Sequence, residues 1–178
     1  MRQGGEMHEV SLFLSYRRGA ATTPAVERLY NRAMVELPVY GVREVFFDRR
    51  SIDAGDPWSP ALDAALTRTT HFLALVSIDY WLSKQCQREL TSAIDRYEVE
   101  QAPKLLFVLA DPLDPQNLVL NADSRPYASR LRALGEINFL GPYDRAGRLV
   151  HLALGSQRRL DAQLSKLVNS LQDLLRSS

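Results

Sequence analysis

The chain has 178 residues, 46% hydrophobic and 24% charged, which is enough for one globular domain with a sizeable core. Its net charge of +1, without a basic run interleaved with aromatics, argues against a direct nucleic-acid or membrane partner. No apolar stretch approaches the ~20 residues that span a bilayer, and the N-terminus has no apolar signal region. The lone Cys86 excludes an internal disulfide and a cysteine-based zinc site, and the three histidines lack metal-ligand spacing. We therefore expect a cytoplasmic protein without a metal.

The first part of the chain alternates short apolar runs with segments of helical periodicity. Residues 1–8 are expected to be a flexible leader, and Thr22 or Thr23 can cap the first helix, with Pro24 at its first position. The apolar stripe of that helix comprises Val26, Leu29, Tyr30, Ala33, Met34 and Leu37, and Pro38 and Gly41 should end it. The predicted elements are a strand at 10–15, this helix, a strand at 43–47, a polar loop at 48–57 and a helix at 58–69.

Residues 71–90 hold the most informative pattern. A nearly continuous apolar run at 71–77 predicts a strand buried on both faces, and the apolar spacing then becomes helical up to about residue 101. At about 100° per residue, Glu89 falls on the inward stripe of this helix, away from the polar side. A carboxylate that faces the protein body is costly unless it is paired or functional. Glu89 therefore belongs either to a structural ion pair with an arginine or to a working site. The inward stripe comprises Leu82, Cys86, Leu90, Ala93, Ile94 and Tyr97, and the polar side carries Lys84, Arg88 and Asp95.

The remainder of the chain continues the alternation. A strand is predicted at 104–110, a loop at 111–122, a short helix at 127–134, a strand at 137–140 and a last helix at 157–175. The leucine stripe of the last helix is too short for a coiled coil and favours a helix packed on the sheet.

Strands that alternate with helices predict an α/β fold, a five-stranded parallel sheet with helices on both faces. The order fits a flavodoxin-like arrangement, 2-1-3-4-5, in which a ligand lies beyond the carboxyl ends of strands 1 and 3. Tyr16, Arg17 and Arg18 leave the first strand, Ser77 to Trp81 leave the third, and the helix with Glu89 follows. Topology and the inward carboxylate thus indicate one crevice, which favours the functional interpretation of Glu89.

Four blocks in this order resemble a TIR (Toll/interleukin-1 receptor) domain. They are LFLSYRR at 12–18, VFFDRRSIDAGDPW at 45–58, FLALVSIDYWLSKQCQREL at 72–90 and KLLFVLA at 104–110. The spacing of Ser83, Cys86 and Glu89 is similar to the S-x-x-C-x-x-E segment of bacterial and plant TIR proteins and of the animal axon-degeneration TIR enzyme. The resemblance covers about 9–155, so 156–178 is expected to be the last helix of the same domain or the start of a linker.

The resemblance to the enzymatic, bacterial branch implies cleavage of the nicotinamide–ribose bond of NAD+, a substrate rather than a cofactor. It implies that Glu89 is catalytic and that other polar and aromatic residues bind substrate: Tyr16, Arg17, Arg18, Asp48, Trp58, Ser77, Tyr80, Trp81, Ser83 and Cys86. Each binding residue has a plainer alternative. The arginines can be surface groups or partners of Asp48, the aromatics core, the serines helix caps and Cys86 a small apolar neighbour of Glu89.

The loop between the second strand and the next helix is implied to contact other TIR domains through Arg49, Arg50, Ile52, Asp53, Gly55, Asp56 and Pro57. Trp81 comes earlier than the tryptophan that often flanks the cysteine in the family, and Gln85 or Gln87 takes its usual place. This departure bears on the outline of the nicotinamide pocket.

The resemblance implies self-assembly into oligomers or filaments, a fused or separate sensor domain and a role in antiphage defence. Two alternatives remain open. One is a non-catalytic module that signals by homotypic TIR contacts. The other is an enzyme like the nucleoside deoxyribosyltransferases, which also combine this fold with a glutamate, although the LFLSYRR block argues against it.

Overall fold

The computed structural model describes residues 9–47, 60–111 and 138–177, except for the side chain of Asn138. The strands within these ranges are β1 (Val10–Tyr16), β2 (Val42–Phe47), β3 (His71–Val76), β4 (Lys104–Leu109) and β5 (Asn138–Gly141). The α-helices are α1 (Thr22–Glu36), α2 (Pro60–Arg68), α3 (Ile78–Leu82), α4 (Lys84–Glu100) and α5 (Gln157–Arg176). The predicted leader at 1–8, the loop at 48–57 and the short helix at 127–134 lie outside the described residues.

The described strands form one parallel sheet in the spatial order β2-β1-β3-β4-β5. This order confirms the predicted flavodoxin-like topology. Ser15 pairs with Ala74 and Tyr16 with Leu75, so β1 and β3 end side by side at the edge of the sheet where the strand order reverses. The prediction of a crevice depends on this edge.

The two faces of the sheet carry separate apolar cores because side chains alternate along each strand. The even-numbered residues Leu12, Leu14 and Tyr16 of β1 lie in the core formed with α1 and α5, here called the α1 face. Phe13 lies in the core formed with α2, α3 and α4, here called the α4 face. Ser15 has the same parity as Phe13 and is fully buried, so the α4 face carries a hydroxyl near the carboxyl end of β1.

The start of α1 differs from its prediction. Neither Thr22 nor Thr23 caps the helix; the N-cap residue is Ala21, and no side chain caps this end. The Thr22 hydroxyl instead donates to the Arg17 carbonyl oxygen at 2.8 Å, and the Thr23 hydroxyl oxygen accepts from the Gly19 N–H at 3.3 Å. The two threonines therefore fix the polar loop that leaves β1.

The single long helix predicted after β3 is two helices. Ser83 has extended backbone between α3 and α4, and its hydroxyl oxygen accepts the Cys86 N–H at 3.3 Å, while Ser77 accepts the Tyr80 N–H at 3.0 Å. Both serines are helix caps, as the plainer interpretation predicted. Two stripe predictions are wrong, because Leu82 in α3 is 56% exposed and Met34 near the end of α1 is 40% exposed.

The last helix, α5, packs on the α1 face as predicted for a helix packed on the sheet. Its buried side chains are Leu160, Leu164, Leu167, Val168 and Leu171. Arg28 of α1 pairs with Asp161 of α5 at 3.0 Å. None of the described helices is both long enough and apolar enough to cross a membrane.

His71, the first residue of β3, predicts a pH dependence of folding. It is 6% exposed, its Nδ1 lies 3.0 Å from the Thr70 hydroxyl, and its Nε2 has no partner among the described residues. Burial, and then the nearby Lys104 charge, lowers the pKa of His71 to about 4. An unfolded histidine titrates near 6.5, so between these values the unfolded chain binds more protons than the folded one. The contribution of His71 to the free energy of unfolding is therefore complete above about pH 6.5. It falls as the pH is lowered towards 4, by up to about 3 kcal/mol.

Urea unfolding at pH 7, 5.5 and 4.5 measures this effect. His71→Leu should lose that part of the pH dependence, whereas the matched variant of exposed His151, His151→Leu, should keep it. Equal pH slopes for wild type and His71→Leu would contradict the assignment.

Candidate active site

Glu89 lies in the second turn of α4 and faces the sheet, as predicted. Its side chain is 3% exposed. The Ser15 hydroxyl donates to Glu89 Oε2 at 2.5 Å, and the Gln85 amide donates to Glu89 Oε1 at 3.0 Å. The Ser15 and Gln85 contacts hold the carboxylate at the carboxyl end of β1, and both donors are neutral.

The local sequence explains how a helical carboxylate reaches a strand hydroxyl. Ser83 caps α4 and so fixes where the helix begins, which places Cys86, Glu89 and Leu90 on its buried side. Gln85 precedes Glu89 by four residues, the spacing at which helical side chains are neighbours. In β1, the period of two turns Ser15 towards α4 and Tyr16 away from it.

A third hydroxyl joins this cluster from α3. The Tyr80 hydroxyl lies 3.0 Å from the Ser15 hydroxyl, and the Tyr80 side chain is fully buried. Its ring meets Trp81 edge-on with centroids 5.5 Å apart. Three elements, β1, α3 and α4, thus contribute to one buried polar cluster.

The electrostatics of the cluster keep its neighbouring acids protonated. Burial, followed by the Glu89 charge, raises the pKa of the Cys86 thiol to about 12. Burial raises the pKa of Tyr80 well above its ordinary value, and the nearby Cys86 and Glu89 act in the same direction. Cys86 is therefore a neutral thiol packed beside Glu89, which does not suit a nucleophile.

The last residue of β1 and the two arginines that follow it differ in position. Arg17 is exposed, and its guanidinium is close enough to Cys86 to lower the pKa of the thiol, against the larger effect of burial. Arg18 is half-buried. Tyr16, predicted with them, is buried in the core of the α1 face with its ring 6.3 Å from Phe47. The structure therefore places Arg17 near Cys86 and Tyr16 on the other side of the sheet.

The other predicted site residues are more varied in position. Trp81 is 7% exposed, and its indole nitrogen has no partner among the described residues. Ser77 is buried and Ser83 half-buried. Asp48, Trp58 and the assembly loop at 49–57 lie outside the described residues. In the parts of the chain that are described, no three His, Cys, Asp or Glu side chains gather as a metal site.

Sequence reasoning missed two members of the cluster, Ser15 and Gln85. The signal for Ser15 was present, because it is a polar residue near the end of an apolar strand, at a position that alternation turns towards α4. Of the two glutamines considered for the place of the family's tryptophan, Gln85 contacts Glu89 through its amide. Gln87, the other residue considered for that place, donates instead to the Trp81 carbonyl oxygen at 2.5 Å.

The comparisons with known proteins agree with this architecture. The family model described as TIR domain matches residues 12–139. The chain belongs to the TIR domain family. Among solved structures, it is similar to the TIR domains of the activated Roq1 resistosome, which directly recognises the pathogen effector XopQ. That match has 20% identity and a TM-score of 0.51 and covers 90% of this chain and 84% of the other, so it concerns the fold alone. The curated proteins yield no match to this TIR domain.

Proposed function

We propose that this TIR domain is an NAD+ glycohydrolase or cyclase of the bacterial enzymatic branch, activated by self-assembly. It breaks the bond between ribose C1′ and the nicotinamide nitrogen, and the bonding electron pair leaves with nicotinamide, which becomes neutral. Water then attacks C1′ and loses a proton to give ADP-ribose, or a nucleophile within the same molecule closes a cyclic product. The observation that carries the proposal is the Glu89 carboxylate, held at the edge where the strand order reverses.

The chemistry suits a single carboxylate. A pyridinium leaving group departs neutral and needs no general acid, whereas glycosidases that expel an oxygen leaving group usually need two carboxyl groups. What needs stabilisation is the oxocarbenium-like sugar. A carboxylate that accepts hydrogen bonds from the ribose hydroxyls binds it more tightly as positive charge develops.

Access to Glu89 depends on the Gln85 side chain. Glu89 is 3% exposed, and the half-buried Gln85 amide lies on its Oε1. A glutamine side chain changes rotamer at little cost, and a ribose hydroxyl can replace its amide as the donor to Oε1. Assembly would favour this open arrangement by binding it in preference to the closed one.

Arg17 is proposed to bind the pyrophosphate of NAD+, since among the described residues it is an exposed cation whose charge acts on Cys86. Arg17→Ala should raise the KM for NAD+ about ten-fold and change kcat much less, because a pyrophosphate contact is made equally in the ground and transition states. Arg18→Ala tests the neighbouring residue, and Arg43→Ala, an exposed arginine of β2, is the control. An unchanged KM in both Arg17→Ala and Arg18→Ala would contradict a contact from this loop.

The experiment that tests the function uses the full chain, alone and fused to an oligomerising domain. Each form is incubated with NAD+, and nicotinamide and the nucleotide products are separated by chromatography. Release of nicotinamide that rises with clustering supports the proposal, and the second product distinguishes hydrolysis from cyclisation. Self-association without NAD+ consumption would favour the non-catalytic signalling module. Turnover of a deoxynucleoside in preference to NAD+ would favour a deoxyribosyltransferase-like enzyme.

Cytoplasmic location, assembly with other TIR domains under a fused or separate sensor, and antiphage defence by NAD+ depletion complete the proposal. An enzyme that destroys a shared cofactor must stay inactive until it is triggered. The buried state of Glu89 is consistent with such control.

A further inference from the structure

The two oxygens of Glu89 have different surroundings. Oε2 faces the interior, where it accepts from the fully buried Ser15, and Ser15 in turn contacts the fully buried Tyr80. Oε1 faces the half-buried Gln85 amide. One oxygen is thus anchored inside the protein, and the other contacts a half-buried side chain.

The direction of the hydrogen bonds follows from counting protons. A hydroxyl has one proton to donate, and an ionised carboxylate can only accept. When Glu89 is ionised, Ser15 uses its proton on Glu89 Oε2, and its oxygen is left to accept from Tyr80. Burial and the neighbouring Glu89 charge keep the Tyr80 proton in place. The chain of donors runs from Tyr80 to Ser15 to Glu89.

We propose that Ser15 and Tyr80 are positioning residues for the catalytic step, anchoring Oε2 of Glu89 so that Oε1 works on the ribose. The inference rests on the proposed function. Polarised chains of this kind strengthen each hydrogen bond, and a carboxylate fixed before the reaction needs no reorganisation in the transition state.

The central variant is Ser15→Ala, which leaves Oε2 and the Tyr80 hydroxyl without their described partner. We expect kcat to fall about 30-fold with little change in KM, and the acidic limb of the pH–rate profile to move up by about one pH unit. Tyr80→Phe removes only the outer donor and should lower kcat about three- to ten-fold. Ser11→Ala is the matched control, since Ser11 is in the same strand and its hydroxyl also donates to a carboxylate, that of Glu44 at 3.4 Å.

Gln85→Ala tests whether the two oxygens of Glu89 have different roles. It too removes one hydrogen bond to Glu89, but from the oxygen that the ribose must reach. We expect a lower KM for NAD+, by about three-fold, because no amide has to be displaced. A loss of kcat as large as that of Ser15→Ala would overturn the assignment of the two oxygens.

A measurement without turnover keeps this inference distinct from the proposed function. The carboxyl ¹³C signal of Glu89, identified by its loss in Glu89→Gln, is titrated in wild type and in Ser15→Ala. An upward movement of the midpoint by about one pH unit supports the anchor even if NAD+ is not cleaved, in which case the proposed function alone fails. Turnover with unchanged titration and an unchanged pH–rate profile in Ser15→Ala would overturn the anchor alone.

Discussion

Glu89→Gln is expected to lower NAD+ cleavage by the clustered chain at least about 100- to 1,000-fold while leaving the fold intact. The amide has nearly the shape of the carboxylate but no negative charge, so it cannot stabilise the oxocarbenium-like sugar; removing one preorganised electrostatic group from other enzymes has effects of this size. The glutamine oxygen can still accept a hydrogen bond from Ser15, so the fold is expected to tolerate the change. Nicotinamide release under saturating NAD+ measures the loss.

The control is Glu98→Gln, the same change at an exposed position of α4. It should retain wild-type turnover. Circular dichroism and the urea midpoint establish that Glu89→Gln is folded. Wild-type turnover by a folded Glu89→Gln protein would exclude Glu89 as the catalytic group, even though the chain would still be shown to cleave NAD+.

The sheet was predictable because several independent features of the sequence indicate the same topology. Strand runs buried on both faces alternate with helical periodicity, and the right-handed crossover rule leaves few ways to connect them. The strand order and the inward direction of Glu89 both followed from this reasoning. Glu89 stood out because a single carboxylate on an otherwise apolar stripe conflicts with its surroundings, and such conflicts often occur at functional sites.

The less successful predictions depend on single contacts that periodicity does not encode. Thr22 and Thr23 are good capping residues, but their hydroxyls bond to the loop at Arg17 and Gly19. The break at Ser83 was missed because the apolar spacing continues across it from Leu82, which lies in the separate helix α3 and is 56% exposed.

The partners of Glu89 were missed for a related reason. Ser15 and Glu89 are 74 residues apart in sequence, and the periodicity of either segment alone cannot show that their side chains meet. Tyr16 was assigned to the crevice by its place in the chain, although the period of two in β1 directs it to the α1 face. Position along a strand decides which edge a residue reaches, but parity decides which face.

Leu164→Ala is expected to destabilise the whole domain by about 2–5 kcal/mol, the range for truncating a fully buried leucine. Leu164 lies in α5, is 0% exposed and belongs to the same apolar core as β1, β3 and β4. We propose on this basis that α5 folds with the rest of the domain rather than as a linker. Urea unfolding should then show one transition, shifted to lower urea, with α5 and the sheet unfolding together. Lys166→Ala, an exposed position of the same helix, should change stability by less than about 0.5 kcal/mol. If Leu164→Ala loosened α5 while a tryptophan-fluorescence probe near α3 kept its wild-type midpoint, the last helix would be a separate unit.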